Sequence, residues 1–204
     1  MMRVLAAAIL ALFISSASAS ATTATAFGDS ATEPSMSWFY KLSLAGNNFA
    51  RSGAVCNPAL TELAERRLST QIKRWTAAGR PTNDWVIVFI GINDIIQSSG
   101  TFGGSRTAYR SALDKLRAAG AKLVLVTAPD LGRLPKWAGT PSAATMTSRT
   151  KTWNSFVKSM ATTYNAGLVD LFSKLVDPTL IGPDGLHPND RGQQALAGAI
   201  GAKL

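Results

Sequence analysis

The chain has a single histidine, His187, and a single cysteine, Cys56, among its 204 residues. One cysteine cannot form an intramolecular disulfide, so Cys56 is interpreted as a small buried side chain and packing has to stabilise the fold. One histidine and one cysteine also cannot supply the ligands of a transition-metal site. The sequence shows no glycine-rich nucleotide fingerprint, and it therefore predicts a protein that needs no metal and no cofactor.

Long apolar runs are missing beyond the N-terminus, which predicts that no later segment crosses a membrane. The first residues combine the basic Arg3 with an apolar stretch, 4–14, that is too short to span a bilayer. Small residues follow and offer cleavage sites. We interpret residues 1–21 as a signal peptide, which predicts a secreted protein whose mature chain, 22–204, is one domain and a monomer.

Acidic residues are scarce: the chain has 12 Asp and Glu but 21 Lys and Arg, which gives a net charge of +9. This sign predicts transient attraction to anionic surfaces, such as acidic polysaccharide, anionic lipid or nucleic acid. The charge is distributed along the chain, and the pairs Arg66-Arg67 and Lys73-Arg74 are interpreted as a solvated helix face. Because no zinc-finger spacing or aromatic RNA-binding signature is present, no nucleic-acid partner is expected.

Five segments have the pattern of β-strands, and helical stripes separate them. The predicted strands are 22–27, 47–51, 85–90, 122–127 and 168–171. The third is apolar throughout, which is typical of a strand buried on both faces of a parallel sheet. This alternation predicts an α/β protein with helices on both sides of the sheet, a three-layer α/β/α sandwich.

Apolar residues at helical spacing predict helices whose stripes face the core. The stripes are Leu60, Leu63, Ala64, Leu68, Ile72 and Trp75; Tyr109, Leu113 and Leu116; and Met146, Trp153, Phe156, Val157 and Met160. Residues 189–203 are predicted to form a final helix.

Four short blocks follow the predicted strands, where the functional groups of parallel sheets gather. Ser30 comes after the first strand, within the sequence Gly-Asp-Ser; Gly53 comes after the second, and Asn93 after the third. His187 comes after the fifth, and Asp184 precedes it by three residues. Because the carboxyl ends of parallel strands share one edge, we expect these side chains to lie together, as nucleophilic acyl transfer requires.

The order and identity of these blocks resemble the SGNH superfamily of GDSL-type hydrolases, which is named for its Ser, Gly, Asn and His. The resemblance runs from about residue 25 to about residue 192. It implies a flavodoxin-like, five-stranded parallel sheet in the order 2-1-3-4-5. It also implies a serine esterase or lipase.

A role for each residue follows from the resemblance and from the chemistry of acyl transfer. Ser30 is expected to attack an ester carbonyl, His187 to take its proton, and Asp184 to hold the other ring nitrogen. The backbone N–H groups of Ser30 and Gly53 and the side-chain amide of Asn93 are expected to bind the oxyanion.

Simpler interpretations exist for single residues. Asp29 is expected to shape a turn, and Asp94 to cap the next helix. Ser155 and Lys158 match the Ser-x-x-Lys spacing of penicillin-recognising enzymes, but Phe156 and Val157 between them belong to a helical apolar stripe and no Lys-Thr-Gly accompanies the motif. The alternative of another class is a non-catalytic secreted binding protein that holds an acidic polymer.

The chain departs from the family pattern in two ways. The motif reads Gly-Asp-Ser-Ala rather than Gly-Asp-Ser-Leu, and only 23 positions separate Ser30 from Gly53, which is short for the family. The shortened segment predicts an open, shallow cleft and makes Gly53 the weakest of the four assignments.

Apolar loop residues indicate the kind of ester. The loops expected to wall the cleft contain Trp38, Phe39, Tyr40 and Leu42; Ile95, Ile96 and Phe102; and Leu131, Leu134, Pro135 and Trp137. Their apolar content favours an acyl chain or an aromatic ester, and together with the open, shallow cleft it predicts small to medium carboxylic esters as substrates. A carbohydrate acetylesterase and a lysophospholipase of the same fold remain open alternatives.

Overall fold

The computed structural model describes residues 22–33, 35, 37–80 and 85–204. The predicted signal peptide, 1–21, lies outside these residues. Within the described part of the chain, no helix is both long and apolar enough to cross a bilayer.

A sheet of five parallel strands forms the middle layer. The strands are β1 (Thr23–Gly28), β2 (Ala45–Asn48), β3 (Trp85–Phe89), β4 (Leu123–Val126) and β5 (Gly167–Val169). Their order is β2-β1-β3-β4-β5, which confirms the predicted topology. β2 begins two residues before the predicted strand, but the N–H groups of Phe49 and Arg51 still donate to carbonyls of β1, at 2.9 and 3.1 Å.

Helices cover both faces of the sheet. They are α1 (Trp38–Lys41), α2 (Leu68–Ala77), α3 (Ile92–Gln97), α4 (Gly103–Ala118), α5 (Ala143–Thr163) and α6 (Asp190–Gly201). One core contains Trp75 of α2, Leu113 of α4 and Trp153 of α5. A second core on the opposite face contains Trp38 of α1 and Ile200 of α6. The predicted three-layer α/β/α sandwich is thus confirmed.

The helix expected from Leu60 begins later, at Leu68. Residues 58–60 and 64–66 form separate 3₁₀ turns, and Leu63 is 43% exposed. The cause is a backbone bridge from Val55, whose N–H donates to Arg66 and whose carbonyl accepts from Leu68, at 2.9 and 3.0 Å. These bonds remove two backbone groups from the helical pattern, so the apolar spacing over 60–64 belongs to a loop.

The junction of β3 and α3 is closely packed against the first core. Gly91 has φ +121°, and a Cβ added there would lie 2.3 Å from the ring of Trp153. Trp153 is fully buried and packs against the rings of Tyr109 and Phe156, with centroids 5.7 and 5.5 Å away. Only glycine fits at this point, and it allows the chain to turn from β3 directly into the helix that carries Asn93.

We therefore expect Gly91→Ala to lower the free energy of unfolding by about 3 to 5 kcal/mol, because it combines backbone strain with overpacking. The matched control is Gly139→Ala, since Gly139 also has positive φ, +75°, but open space around its Cβ position. The control should cost only about 1 kcal/mol in urea unfolding. Equal losses in the two variants would contradict the steric account.

Candidate active site

Ser30 follows β1 in a tight turn at the carboxyl edge of the sheet. The carbonyl of Asp29 accepts the N–H of Thr32 at 3.0 Å, so the chain reverses directly after β1. At Gly28, an added Cβ would lie 2.7 Å from the carbonyl oxygen of Phe89. Glycine is therefore required there for β1 and β3 to approach each other beside the serine.

The side-chain amide of Gln71, on α2, holds this end of β1. Its Nε2 donates to the carbonyl of Gly28 at 2.8 Å, and its Oε1 accepts the Gly28 N–H at 3.1 Å. Gln71 is fully buried, so both bonds are formed away from water. Gln71 was not among the predicted site residues, although a polar side chain on the apolar face between Leu68 and Trp75 is the signal that could have identified it.

Ser30, His187 and Asp184 are joined by consecutive hydrogen bonds. Ser30 Oγ lies 2.8 Å from His187 Nε2, and His187 Nδ1 is hydrogen-bonded to Asp184 Oδ2. An ionised carboxylate only accepts, so Nδ1 carries the proton and Nε2 is left to accept from the serine hydroxyl. The three predicted residues therefore lie together in the order that proton transfer from the serine needs.

A compact loop presents the Asp184 and His187 side chains. The N–H of Gly182 donates to the carbonyl of His187 at 2.7 Å, and Gly185 adopts φ +72°. Asp184 Oδ1 accepts the backbone N–H groups of Leu186 and His187, each at 3.0 Å. Partial burial raises the pKa of Asp184, but the hydrogen bonds from the His187 side chain and from these N–H groups outweigh it and lower the pKa to about 2.

Asn93 lies in the first turn of α3, at the carboxyl end of β3. Its Nδ2 donates to the carbonyl of Ala54 at 3.0 Å, which leaves the second N–H of the amide for another acceptor. Asp94 does not cap the helix as expected but binds the preceding loop, accepting the N–H groups of Cys56 and Asn57 at 2.8 and 3.0 Å. Burial raises the pKa of Asp94, and these two bonds oppose the shift.

Gly53 occupies a turn beside the end of β1. The N–H of Ala54 donates to the carbonyl of Arg51 at 3.0 Å, and Gly53 has φ +71°, as the third residue of a type II turn. The N–H of Arg51 in turn donates to Gly28 of β1. The structure thus brings Gly53 near the strand that precedes Ser30, but not into the lining of the cavity at the site.

A cavity of about 20 Å³ opens beside Ser30. Its polar lining comes from Ser30, Asn93, His187 and the buried Asp29. Its apolar wall includes Phe89, Ile92, Pro129, Leu134, Leu175 and Ile181. The cavity is therefore a small apolar space with three predicted site residues at one side.

Only some of the loop residues that were expected to wall the cleft do so. Leu131 and Leu134 line the cavity, whereas Trp38 and Trp137 lie in the two cores. The indole N–H of Trp38 donates to Thr32 Oγ1 at 3.2 Å, which directs this ring into the core.

One family model matches most of the chain. The profile of the GDSL-like Lipase/Acylhydrolase family matches residues 23–195. No curated protein sequence matches the chain.

Several solved structures share the fold at low sequence identity. An acetyl xylan esterase, AlAXEase, is 16% identical with a TM-score of 0.67, over 88% of this chain and 98% of that one. The psychrotrophic esterase EstA from Pseudoalteromonas sp. is 18% identical with a TM-score of 0.62, over 89% and 96%. Axe2, an acetylxylan esterase from Geobacillus stearothermophilus, is 16% identical with a TM-score of 0.67, over 89% and 93%.

Asp29 is a buried carboxyl group that directly precedes Ser30. Only 1% of its surface is exposed, and Oδ1 accepts the N–H of Ala31 at 3.1 Å. Oδ2 has no hydrogen-bond partner among the described residues. Burial raises the pKa of Asp29 to about 7, against the lowering effects of the Ala31 N–H and the His187 charge. The uncharged acid is thus the form that this site favours.

This shift predicts a pH dependence of stability. Since the pKa of Asp29 is raised from 3.8 to about 7, its contribution to stability is full below pH 3.8 and is lost as the pH rises through 7. Between pH 5 and pH 8, the wild type should lose roughly 2 to 3 kcal/mol relative to Asp29→Asn, measured by urea unfolding.

Asp177→Asn is the control for this measurement. Asp177 is exposed, and hydrogen bonds from Thr179 lower its pKa, so that variant should run parallel to the wild type above pH 5. If Asp29→Asn also ran parallel, Asp29 would not be the titrating group.

Proposed function

The chain belongs to the GDSL-like lipase/acylhydrolase family and is a carboxylic ester hydrolase, and from that premise we propose that Ser30 cleaves short-chain esters through an acyl-enzyme. The observation that carries the proposal is the 2.8 Å contact between Ser30 Oγ and His187 Nε2. A serine hydroxyl is a weak nucleophile at neutral pH, and a neutral imidazole at this distance removes its proton during attack.

In this mechanism His187 moves one proton in each direction. Ser30 Oγ attacks the carbonyl carbon while Nε2 takes the hydroxyl proton, and Asp184 stabilises the resulting imidazolium. Collapse of the tetrahedral intermediate breaks the bond to the alcohol, which leaves with the proton from Nε2. A water molecule then attacks the acyl-enzyme by the same route and restores the serine.

The oxyanion needs hydrogen-bond donors that are fixed before the reaction. The Ala54 carbonyl binds one N–H of Asn93 and thereby orients the amide, whose other N–H is available to the oxyanion. The backbone N–H groups of Ser30 and Gly53 are the further proposed donors. The Gly53 contribution rests on the family resemblance, because Gly53 does not line the cavity.

The size of the cavity favours a short acyl group. A single water-sized sphere needs about 10 to 15 Å³, so a cavity of about 20 Å³ has room for little more than one such sphere and favours the smallest acyl group, acetyl. Two structural neighbours are named acetyl xylan esterases, which agrees with this acyl size. We propose an acetyl ester as the preferred substrate, with a carbohydrate rather than a lysophospholipid as its alcohol part.

Secretion is part of the same proposal. A basic residue, an apolar stretch and small residues over 1–21 are the pattern of a cleaved signal peptide. Mass determination of the protein released from cells would show a mature chain that begins near residue 22.

Ser30, His187 and Asp184 form a catalytic triad in this mechanism, and the loss of its nucleophile or its base should nearly abolish turnover. Ser30→Ala and His187→Ala should each lower kcat for p-nitrophenyl acetate by on the order of 10⁴-fold, because nucleophile and base act in one step. The exposed Ser142 makes no side-chain capping bond, so Ser142→Ala is the matched control and should keep wild-type turnover. Near-normal turnover in either triad variant would refute the assignment.

Labelling separates this enzyme from a binding protein of the same fold. A fluorophosphonate should label the wild type and Ser142→Ala but not Ser30→Ala. An unlabelled wild type would favour the non-catalytic binding protein instead.

The cavity wall should set the acyl preference. Wild-type kcat/KM should fall at least about tenfold from p-nitrophenyl acetate to octanoate, because the added methylenes find no apolar space to bury. Leu134 is 1% exposed and lines the cavity. Its replacement by alanine should raise the kcat/KM of butyrate relative to acetate by about tenfold.

Leu113→Ala is the matched control for this change, since Leu113 is equally buried but lies in the core between the sheet and α4. The control loses the same side-chain atoms and should keep the wild-type chain preference. An octanoate preference in the wild type, or identical shifts in both variants, would overturn the acyl assignment.

A further inference from the structure

The positive charge of the chain is concentrated in one stretch. Residues 66–122 carry ten of the 21 Lys and Arg but only three of the 12 Asp and Glu. One of these acids, Asp94, is buried and bound to backbone N–H groups, and another, Asp114, accepts the hydroxyl of Tyr164. Positive charge is therefore denser in this stretch than along the rest of the chain, and its two main helices, α2 and α4, pack side by side.

A groove runs between these two helices. It consists of two adjoining cavities of about 460 and 470 Å³, and Ile72 and Lys115 line both of them. The cations along it are Lys73, Arg80 and Lys115, and no carboxylate of the described chain lines it or forms an ion pair with these three. We call this feature the α2–α4 groove.

Neutral hydrogen-bonding groups line mainly the first cavity of the groove, which contains Lys115, whereas Lys73 and Arg80 line the second. Ser69 and Thr76 on α2, and Thr107 and Ser111 on α4, line the groove together with the amide of Asn57. Hydroxyl and amide groups both donate and accept, as the hydroxyl groups of sugars do. The lining therefore combines positive charge with groups that suit a hydroxylated ligand.

The groove begins close to the candidate active site. Cys56 and Asn57 line its first part, and their backbone N–H groups bind Asp94, the neighbour of Asn93. From there the groove follows α4 from Gly104 to Ala118, a length of about 21 Å at the α-helical rise. A linear polymer that lies in it would pass one end near the catalytic edge of the sheet.

We propose that the α2–α4 groove is a binding site for an acidic polysaccharide, whose carboxylates pair with Lys73, Arg80 and Lys115. This site goes beyond the proposed esterase activity and does not depend on Ser30 being the nucleophile. It would hold a uronate-containing polymer beside the site that removes its ester groups.

Two other anionic partners fit the groove less well. A single-stranded nucleic acid needs aromatic rings on which its bases stack. Among the described residues that line the groove, Trp75 is the one aromatic side chain, and it is 1% exposed. A membrane needs large apolar side chains at its surface. Among the described residues, the large apolar side chains that are exposed are Tyr40 and Leu63, and neither lines the groove.

The test measures binding of polygalacturonate to the full chain carrying Ser30→Ala, so that ester cleavage plays no part. Binding should be seen at an ionic strength of about 0.05 M and should weaken with salt. Combining Lys73→Gln, Arg80→Gln and Lys115→Gln should weaken it by about tenfold, as expected for three exposed ion pairs. Circular dichroism and thermal unfolding check that the variant is folded.

The matched control removes two lysines and one arginine elsewhere, in the combination Lys174→Gln, Arg191→Gln and Lys203→Gln, all exposed and outside the groove. It should keep polygalacturonate affinity within about twofold, since only screened long-range charge is lost. Equal losses in both triple variants, or no binding at all, would overturn the proposal. Tighter groove-dependent binding of oligothymidylate or phosphatidylglycerol vesicles would also overturn it and would assign the groove to that partner.

Discussion

Two buried side-chain amides hold the backbone where the central strands end, and the placement of the site residues depends on them. Gln71 exchanges two hydrogen bonds with Gly28, and Asn154 does the same with Ala128 at 2.9 and 2.8 Å. Each amide binds both the N–H and the carbonyl of one peptide position at the end of a strand, so these buried backbone groups remain satisfied. The turn that carries Ser30 is therefore fixed by a helix on the far side of β1 as well as by its own sequence.

Two buried carboxyl groups flank the site and have different surroundings. Asp94 has its oxygens occupied by backbone N–H groups, so it joins α3 to the preceding loop as an anchor. Asp29 has one oxygen bound and the other without a partner in the described structure. Burial raises the pKa of Asp29 to about 7, so near pH 7 this carboxyl group carries less negative charge than an exposed aspartate does.

Local pattern predicted the strands and the site residues, while long-range contacts decided what the sequence did not reveal. The buried β3 follows from a continuous apolar run, and Ser30, Asp184 and His187 follow from the order of short blocks at strand ends. The late start of α2 depends on a bridge from Val55 twelve positions away from its partner Arg67. The volume of the cavity depends on loops that are distant in sequence, such as those that contain Leu134 and Ile181. The spacing between Ser30 and Gly53 therefore could not predict how much space an acyl group has.

The single cysteine lies in a position where it reports on the geometry of the site. Cys56 is 1% exposed, and its backbone N–H is bound by Asp94, next to the oxyanion-hole candidate Asn93. Burial raises the pKa of its thiol, which lowers the fraction of reactive thiolate. With 1% of the residue exposed, a thiol reagent reacts at an appreciable rate only when the loop that contains Cys56 opens, and the sequence has no second thiol that would compete. The rate of modification therefore measures how often this loop opens in the native protein.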